Sequence, residues 1–238
     1  MQHGMGAAKL TKLTRSVAAL AGAAGLLAGC SGSADGGAGA RGAPPRTTSV
    51  PAAETPAGRQ CLVELTGTGA HFSMLPDRYP APGCSNVNTV QLSSVAADSG
   101  SLAIGNIGAV TCEVSTVFAG WARYGADRAA RSLLGSPIRS IETMGSYNCR
   151  NVAGTNRLSA HGTAAAIDVS AFVLADGRRI VLLEDWNGGT DAERQFLRAV
   201  HQSACRRFAT VLGPEYNAAH RNHFHLEGAL EGGRGFCR

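Results

Sequence analysis

Apolar residues recur at helical spacing from Glu113 to Leu134, with Val114, Val117, Phe118, Trp121 and Leu133 on one stripe and "GSP" ending the run. This predicts a first helix that carries Gly120 and Gly125 within it. Alternation then takes over. The stretches 138–149, "IRSIETMGSYNC", and 164–174, "AAAIDVSAFVL", read as strands, and "ADG" reads as a hairpin turn into a third, "RRIVLLED". Helical spacing returns over Asp191 to Leu212 through Phe196, Leu197, Val200, Phe208, Val211 and Leu212, until Gly213 and Pro214 stop it. A last strand, "NHFHLE" at 222–227, follows. Residues 61–111 hold turn signals ("GTG", "LPDRYPAPGC") and short alternations such as "NTVQLSS", which predict loops and short strands. The order gives a single α+β domain, a small antiparallel sheet with flanking helices.

Ahead of that domain the pattern is of another kind. Lys9, Lys12 and Arg15 open a short apolar run, "SVAALAGAAGLLAG", that ends at Cys30. The run is too short to span a bilayer comfortably and reads as an export signal over residues 1–29. "LAGC" has the small-residue pattern of a bacterial lipoprotein cleavage site, which makes Cys30 the expected lipidated first residue of the mature chain. Residues 31–60 are almost entirely Gly, Ala, Ser, Thr and Pro, so 30–60 is expected to be a disordered tether with a reach of about 30 Å. The folded part is then 61–238, about 180 residues, long enough for one real core.

The chain carries 22 Lys and Arg against 17 Asp and Glu, a net charge of +5. Loss of residues 1–29 removes three basic residues and no acidic one, leaving 19 against 17, or +2. The basicity belongs largely to the signal, and no Lys/Arg cluster interleaves with aromatics, so nucleic acid is not an expected partner. Beyond Cys30 there are six cysteines: Cys61, Cys84, Cys112, Cys149, Cys205 and Cys237. An even, widely spaced set in an exported chain reads as three disulfides, with fifteen possible pairings. A local bridge would join Cys61 to Cys84, and a bridge from Cys149 or Cys205 to Cys237 would pin the C-terminus beside the histidine strand.

The chemistry starts from seven histidines. In the strand 222–227, His223, His225 and Glu227 share one face, and Phe224 and Leu226 the other. In the strand 164–174, Ala164, Ala166 and Asp168 share a face where small residues leave room for a site, and His161 lies seven residues before Asp168. Taken singly, each of these residues has an ordinary structural use. Together, His161, Asp168 and one histidine of the 223/225 pair offer two nitrogens, one carboxylate and an open fourth position, the donor set of a catalytic zinc. His220, just upstream, fits either a position that orients His225 or Asp168 from behind or an exposed loop. Trp186 fits a buried position or the wall of a substrate groove, and His71 and His201 read as structural.

These stretches resemble the S-x-H-x-x-G-x-A-x-D and H-x-H signatures of zinc D-alanyl-D-alanine carboxypeptidases and related peptidoglycan amidases. More closely, "GSYNCR", "LSAHGTAAAIDV", "FATVLGPEYNAAHRNHFHLE" and "GRGFCR" resemble the bacterial extensin-like C-terminal domain family over most of residues 61–238. The resemblance implies a peptidase-like α+β fold in which His161, Asp168 and His225 hold one zinc ion and Arg150 steadies substrate. It also exposes a departure. Many of the carboxypeptidases carry a Glu three residues before the last histidine ligand, where this chain has Asn222, and residue 160 is Ala where much of the family is acidic. Related amidases use the first histidine of H-x-H as the base, which makes His223 the expected catalytic base and Glu227 a weaker candidate.

Two functions of different class follow. One is a zinc hydrolase acting on the peptide stems of peptidoglycan, as a monomer held by its lipid anchor in the cell envelope. Ser31 after the anchor places it, by analogy, at the periplasmic face of an outer membrane. The other is a non-catalytic peptidoglycan-binding or structural envelope lipoprotein of the same fold, which Asn222 favours.

Overall fold

Thr55 accepts a hydrogen bond from the amide of Gly58 (3.0 Å) and Pro56 takes the first helical position, so helix α1 (Pro56–Gly67) begins with a side-chain cap. The computed structural model describes residues 51–238, and the expected signal segment, Cys30 and the tether as far as Val50 lie outside the described residues. Helix α1 starts ahead of the domain boundary expected at residue 61, because Cys61 and Leu65 anchor it in the core.

Six short strands follow: β1 (His71–Met74), β2 (Arg78–Ala81), β3 (Cys84–Asn86), β4 (Thr89–Ala96), β5 (Ser101–Gly105) and β6 (Ala109–Thr111). The expected first helix is one rod in three parts, α2 (Cys112–Trp121), a π-turn over Ala122–Asp127, and α3 (Arg128–Leu134). The π-turn carries Gly125, where an added Cβ would sit 2.3 Å from Ser203 Oγ, so glycine is what lets the helix bearing Ser203 approach. Then come β7 (Ile138–Gly145), β8 (Ala166–Leu174), β9 (Arg179–Val181), α4 (Leu182–Gly188), α5 (Asp191–Ala204), β10 (Phe208–Leu212), β11 (Phe224–Ala229) and β12 (Phe236–Cys237).

Two sequence expectations change here. "LLED" continues not as strand but as α4, whose Asp185 carboxylate accepts the amide of Val181 (2.6 Å) where the strand stops. The helix expected over Asp191 to Leu212 ends at Ala204, after a Thr190–Glu193 capping box at its start, and Phe208–Leu212 is a strand. A short apolar run fits either period, and pairing of β10 with β11 and β12 decides it.

Ten strands form one mixed sheet in the order β1-β4-β5-β7-β8-β11-β10-β12, with β6 against β4 and β9 against β8, while β2 and β3 pair separately. The β5–β7 and β10–β12 pairs are parallel. The class is α+β as expected, but the sheet is large and mixed rather than small and antiparallel. Four extra strands, β1, β4, β5 and β6, come from 61–111, where each alternation is too short to stand out alone, and β10 and β12 add two more at the other edge.

Strand β8 holds core and site together. Ser170 has no partner in the β7–β8 ladder, and the parity of the strand changes there. Ile167 and Val169 before it and Phe172 and Leu174 after it therefore all enter the core, and Asp168 looks the other way. Trp121 is fully buried; its indole N–H donates to the Val200 carbonyl (3.2 Å) and its ring meets Phe118, Phe172 and Phe208. Burial of each Phe side chain contributes roughly 1.5–3 kcal/mol. Asp127, wholly buried in the π-turn, accepts the amide of Ile138 (2.9 Å) and the Arg131 guanidinium (2.8 Å), which ties the rod to β7.

The disulfides are Cys61–Cys112, Cys84–Cys149 and Cys205–Cys237. A local Cys61–Cys84 bridge does not form, because Cys61 on α1 meets the start of α2 and Cys84 clamps the segment after β7. Cys205–Cys237 is the expected tie of the C-terminus, next to the pairing of β12 with β10. No helix among the described residues is long and apolar enough to cross a membrane.

Candidate metal centre

Asp168 and His225 are direct partners across the β8–β11 pair, and Glu227 faces Ala166 in the same ladder. Period-two alternation sends Phe224 and Leu226 into the core and leaves His225 and Glu227 on the opposite face, as the sequence pattern predicts. Ala164 does not join that face. It closes the 3₁₀ turn Ala160–Thr163 in the left-handed conformation (φ 55°), where the S-x-H-x-x-G-x-A-x-D signature carries its Gly. The turn delivers His161, and Ser159 caps it.

His161 Nε2 lies 3.1 Å from His225 Nδ1 and 3.2 Å from Asp168 Oδ2, and His225 Nδ1 lies 3.0 Å from Asp168 Oδ1. The groups behind the rings settle the tautomers. His161 Nδ1 donates to the Ser146 carbonyl, and His225 Nε2 donates to Glu227 (3.1 Å). Each neutral ring then points a lone pair at the other and at a carboxylate that also has only lone pairs to offer. Three acceptors this close need a shared cation, either a proton or a metal. Two donors held 2.0–2.1 Å from a tetrahedral zinc lie roughly 3.3 Å apart, close to the spacing here. His161, Asp168 and His225 thus fit a zinc ion, with Ser146 and Glu227 orienting the two rings.

Burial works against the Asp168 carboxylate, but the imidazoles of His161 and His225 beside it outweigh that effect and hold the group far below the usual carboxylate range. Burial likewise opposes charge on His225, yet Asp168 and Glu227 overcome it and raise the ring to about 9. In the metal-free chain the shared cation is therefore a proton on His225.

His223, 8% exposed, stands beside this group with Nε2 3.5 Å from Asp168 Oδ1, and its Nδ1 donates to Asn222 Oδ1 (2.9 Å). Burial holds it below its ordinary value, so the ring is neutral at pH 7 with the Nε2 lone pair on the Asp168 side. Asn222, which stands where many carboxypeptidases have Glu, orients His223 here. His220 makes no hydrogen bond to His225 or Asp168, contrary to its expected role; it bonds Asn217 (2.7 Å) and packs its ring 5.1 Å from that of His223. Burial first, and His223 and His225 next, push it down to about 4.

A cleft of about 550 Å³ opens over the site, lined by Arg150, Arg157, Tyr216, His220, His223 and Glu227 among others. Trp186 is not part of it: the ring is 4% exposed and packs edge-on against Phe224, on the core side of β11. His201 lies beside it and bonds the Arg238 carbonyl (3.2 Å), while His71 is exposed on β1. His201, Cys205 and Cys237 also converge, but both sulfurs are spent in a disulfide and offer no thiolate. The larger hollow along α5, about 740 Å³, touches that cluster and none of His161, Asp168 and His225. Sequence reasoning missed Ser146, whose part is played by a backbone carbonyl, and Arg157, which simple alternation sets opposite Arg150 and only the pairing of Val152 with Arg157 brings to the same face.

Comparisons with curated proteins and with solved structures return no match. The family model described as extensin-like protein C-terminus covers residues 59–238, which include every residue of the site, and the chain belongs to that family.

Proposed function

We propose that this domain is a zinc hydrolase acting on peptide bonds of peptidoglycan, with the peptidase-like fold that its motifs resemble. The observation that carries the proposal is the convergence of His161 Nε2, His225 Nδ1 and the Asp168 carboxylate, all acceptors once Ser146 and Glu227 have taken the two outer ring protons. A zinc ion, when bound, lowers the pKa of water and polarises a carbonyl. The chain's own residues supply the rest. His223 takes up a proton at Nε2 as general base, being neutral and oriented by Asn222. Glu227 is the weaker candidate because its carboxylate is already held by His225. Arg150 steadies the substrate from the cleft wall. Export as a lipoprotein at the periplasmic face of the outer membrane, on a flexible tether, would bring the cleft to the polymer.

The test is the zinc content of the full chain beside His161→Ala and His225→Ala, followed by incubation with peptidoglycan peptides. About one zinc per chain, lost in both variants, with cleavage by the wild type alone, is the expected result. A wild type that takes up no zinc on reloading removes the proposal. A second reading, a non-catalytic peptidoglycan-binding or structural envelope lipoprotein, is favoured by Asn222 standing where a carboxylate base would be. Bound zinc with no turnover of any such peptide would support it.

A further inference from the structure

Residues 150–159 form a small hairpin over the cleft. The Ser159 amide donates to the Arg150 carbonyl (3.0 Å), the Val152 amide to the Arg157 carbonyl (2.8 Å), and Asn151 bridges Leu158 between them. Side chains in such a ladder alternate sides, so Arg150, Val152, Arg157 and Ser159 share one face. That face lines the cleft. The opposite face locks the orientation: an added Cβ would meet the Leu158 side chain at 3.6 Å from Gly83 and at 2.8 Å from Gly162, so Leu158 lies against both glycines. Cys149, one residue before the hairpin, is bonded to Cys84 on β3.

Arg150 and Arg157 occupy diagonal positions of this ladder, which are roughly 7–8 Å apart. Both are exposed, and among the described residues neither has an ion-pair partner. Other arginines, Arg59, Arg78 and Arg139 among them, are unpaired too, so what sets Arg150 and Arg157 apart is that both stand on the face that lines the cleft. Both guanidinium-bearing residues belong to the lining of the cleft that also holds His220, His223, His225 and Glu227.

We propose that Arg157 acts with Arg150 as a clamp for a carboxylate of the substrate, so that the cleft selects peptides with a free carboxylate beside the bond at the zinc donors. A guanidinium fork matches a carboxylate in geometry as well as charge, and two forks on a rigid hairpin fix its position relative to His223. The proposal rests on the reading of this cleft as a peptide site, but recognition is separable from turnover.

The experiment measures binding of three probes to the zinc-loaded full chain by calorimetry: N-acetyl-dialanine as the free acid, its C-terminal amide, and the amide of N-acetyl-glutamyl-alanine, each in both chiral forms. The free acid should bind at least about tenfold more tightly than its amide, as a charge-assisted pair requires. Arg157→Gln should erase most of that preference with zinc content unchanged, and Arg157→Lys should restore part of it. A glutamyl amide that binds as well as the free acid assigns the carboxylate to a side chain rather than to a chain end. Equal binding of acid and plain amide together with no gain from the glutamyl side chain, no binding of any probe, or a carboxylate preference that survives Arg157→Gln would each overturn the clamp. Carboxylate preference without any cleavage would leave the clamp standing while the hydrolase falls, and cleavage without preference would do the reverse.

Discussion

His225 and Asp168 face each other across the β11–β8 pair, and that register holds imidazole and carboxylate 3.0 Å apart. A one-residue slip of either strand would turn one of the two toward the core and bring Leu226 or Ile167 out in its place. The sheet therefore sets the distance between two of the three candidate metal ligands, and the 3₁₀ turn bearing His161 has only to close onto them.

Glu227 holds the far nitrogen of His225, so its carboxylate orients a candidate metal ligand from outside the set. Glu227→Ala should weaken zinc binding by about 10- to 100-fold while His161 and Asp168 stay in place. Competition with a calibrated chelator measures this, and unaltered affinity would show that His225 needs no such support.

The metal-free domain should be sensitive to pH in a direction set by His225. Its ring is raised to about 9 in the fold, against about 6.5 in the unfolded chain, so folding favours the protonated form. That contribution is complete below about pH 6.5 and is lost as pH rises through 9. Asp168, held low, contributes in the opposite range, above the ordinary carboxylate pKa, and its share disappears in acid. Denaturant midpoints of the metal-free domain should fall between pH 6.5 and 9, and zinc, which replaces the proton, should remove the decline. Parallel profiles with and without zinc would contradict it.

His223→Ala should abolish peptide cleavage and leave zinc content intact, because the ring faces the donors without belonging to the set. A positioned base is worth about 10²–10⁴ in rate. Asn222→Ala, which removes only the acceptor for Nδ1, should lower kcat by less. Full turnover in His223→Ala would pass the proton to Glu227.

Asp127→Ala should cost about 3 kcal/mol or more, since it strands the buried Ile138 amide and breaks the bond to Arg131. Asp127→Asn should cost less by keeping the amide satisfied. Urea titration distinguishes the two, and a neutral Asp127→Ala would mean that water enters the π-turn.

Cys30→Ala should move the protein from the membrane to the soluble fraction of a cell that processes lipoproteins. Unchanged partitioning would rule out lipid anchoring at this residue.

Where one face of an element was buried over enough residues, the sequence was readable: the alternation of Phe224 and Leu226 against His225 and Glu227 is present in the fold as written in the chain. The grouping of His161, Asp168 and His225 was legible in the spacing of the motifs that carry them, although Ala164 leaves the strand face it was expected to share with Asp168. What stayed hidden depends on partners distant in sequence. Phe208, Val211 and Leu212 looked helical because periodicity cannot see β11 or β12 waiting beside them. Ser146 acts through its carbonyl, which any residue would supply, so no side chain announces it. Asn222 read as a lost carboxylate until the ring of His223 was found against it.

The unpaired Ser170 bends β8 without deciding which of its side chains are buried. The strand carries two apolar rhythms of opposite phase, one through Ile167 and Val169 and one through Phe172 and Leu174, joined by a single uncounted residue. Excision of that residue would bring the two rhythms into one phase, so plain alternation would keep all four apolar side chains in the core and Asp168 on the other face. The extra residue therefore serves the local twist of β8 against β7, and its loss would straighten the strand beneath the site while leaving the same side chains buried.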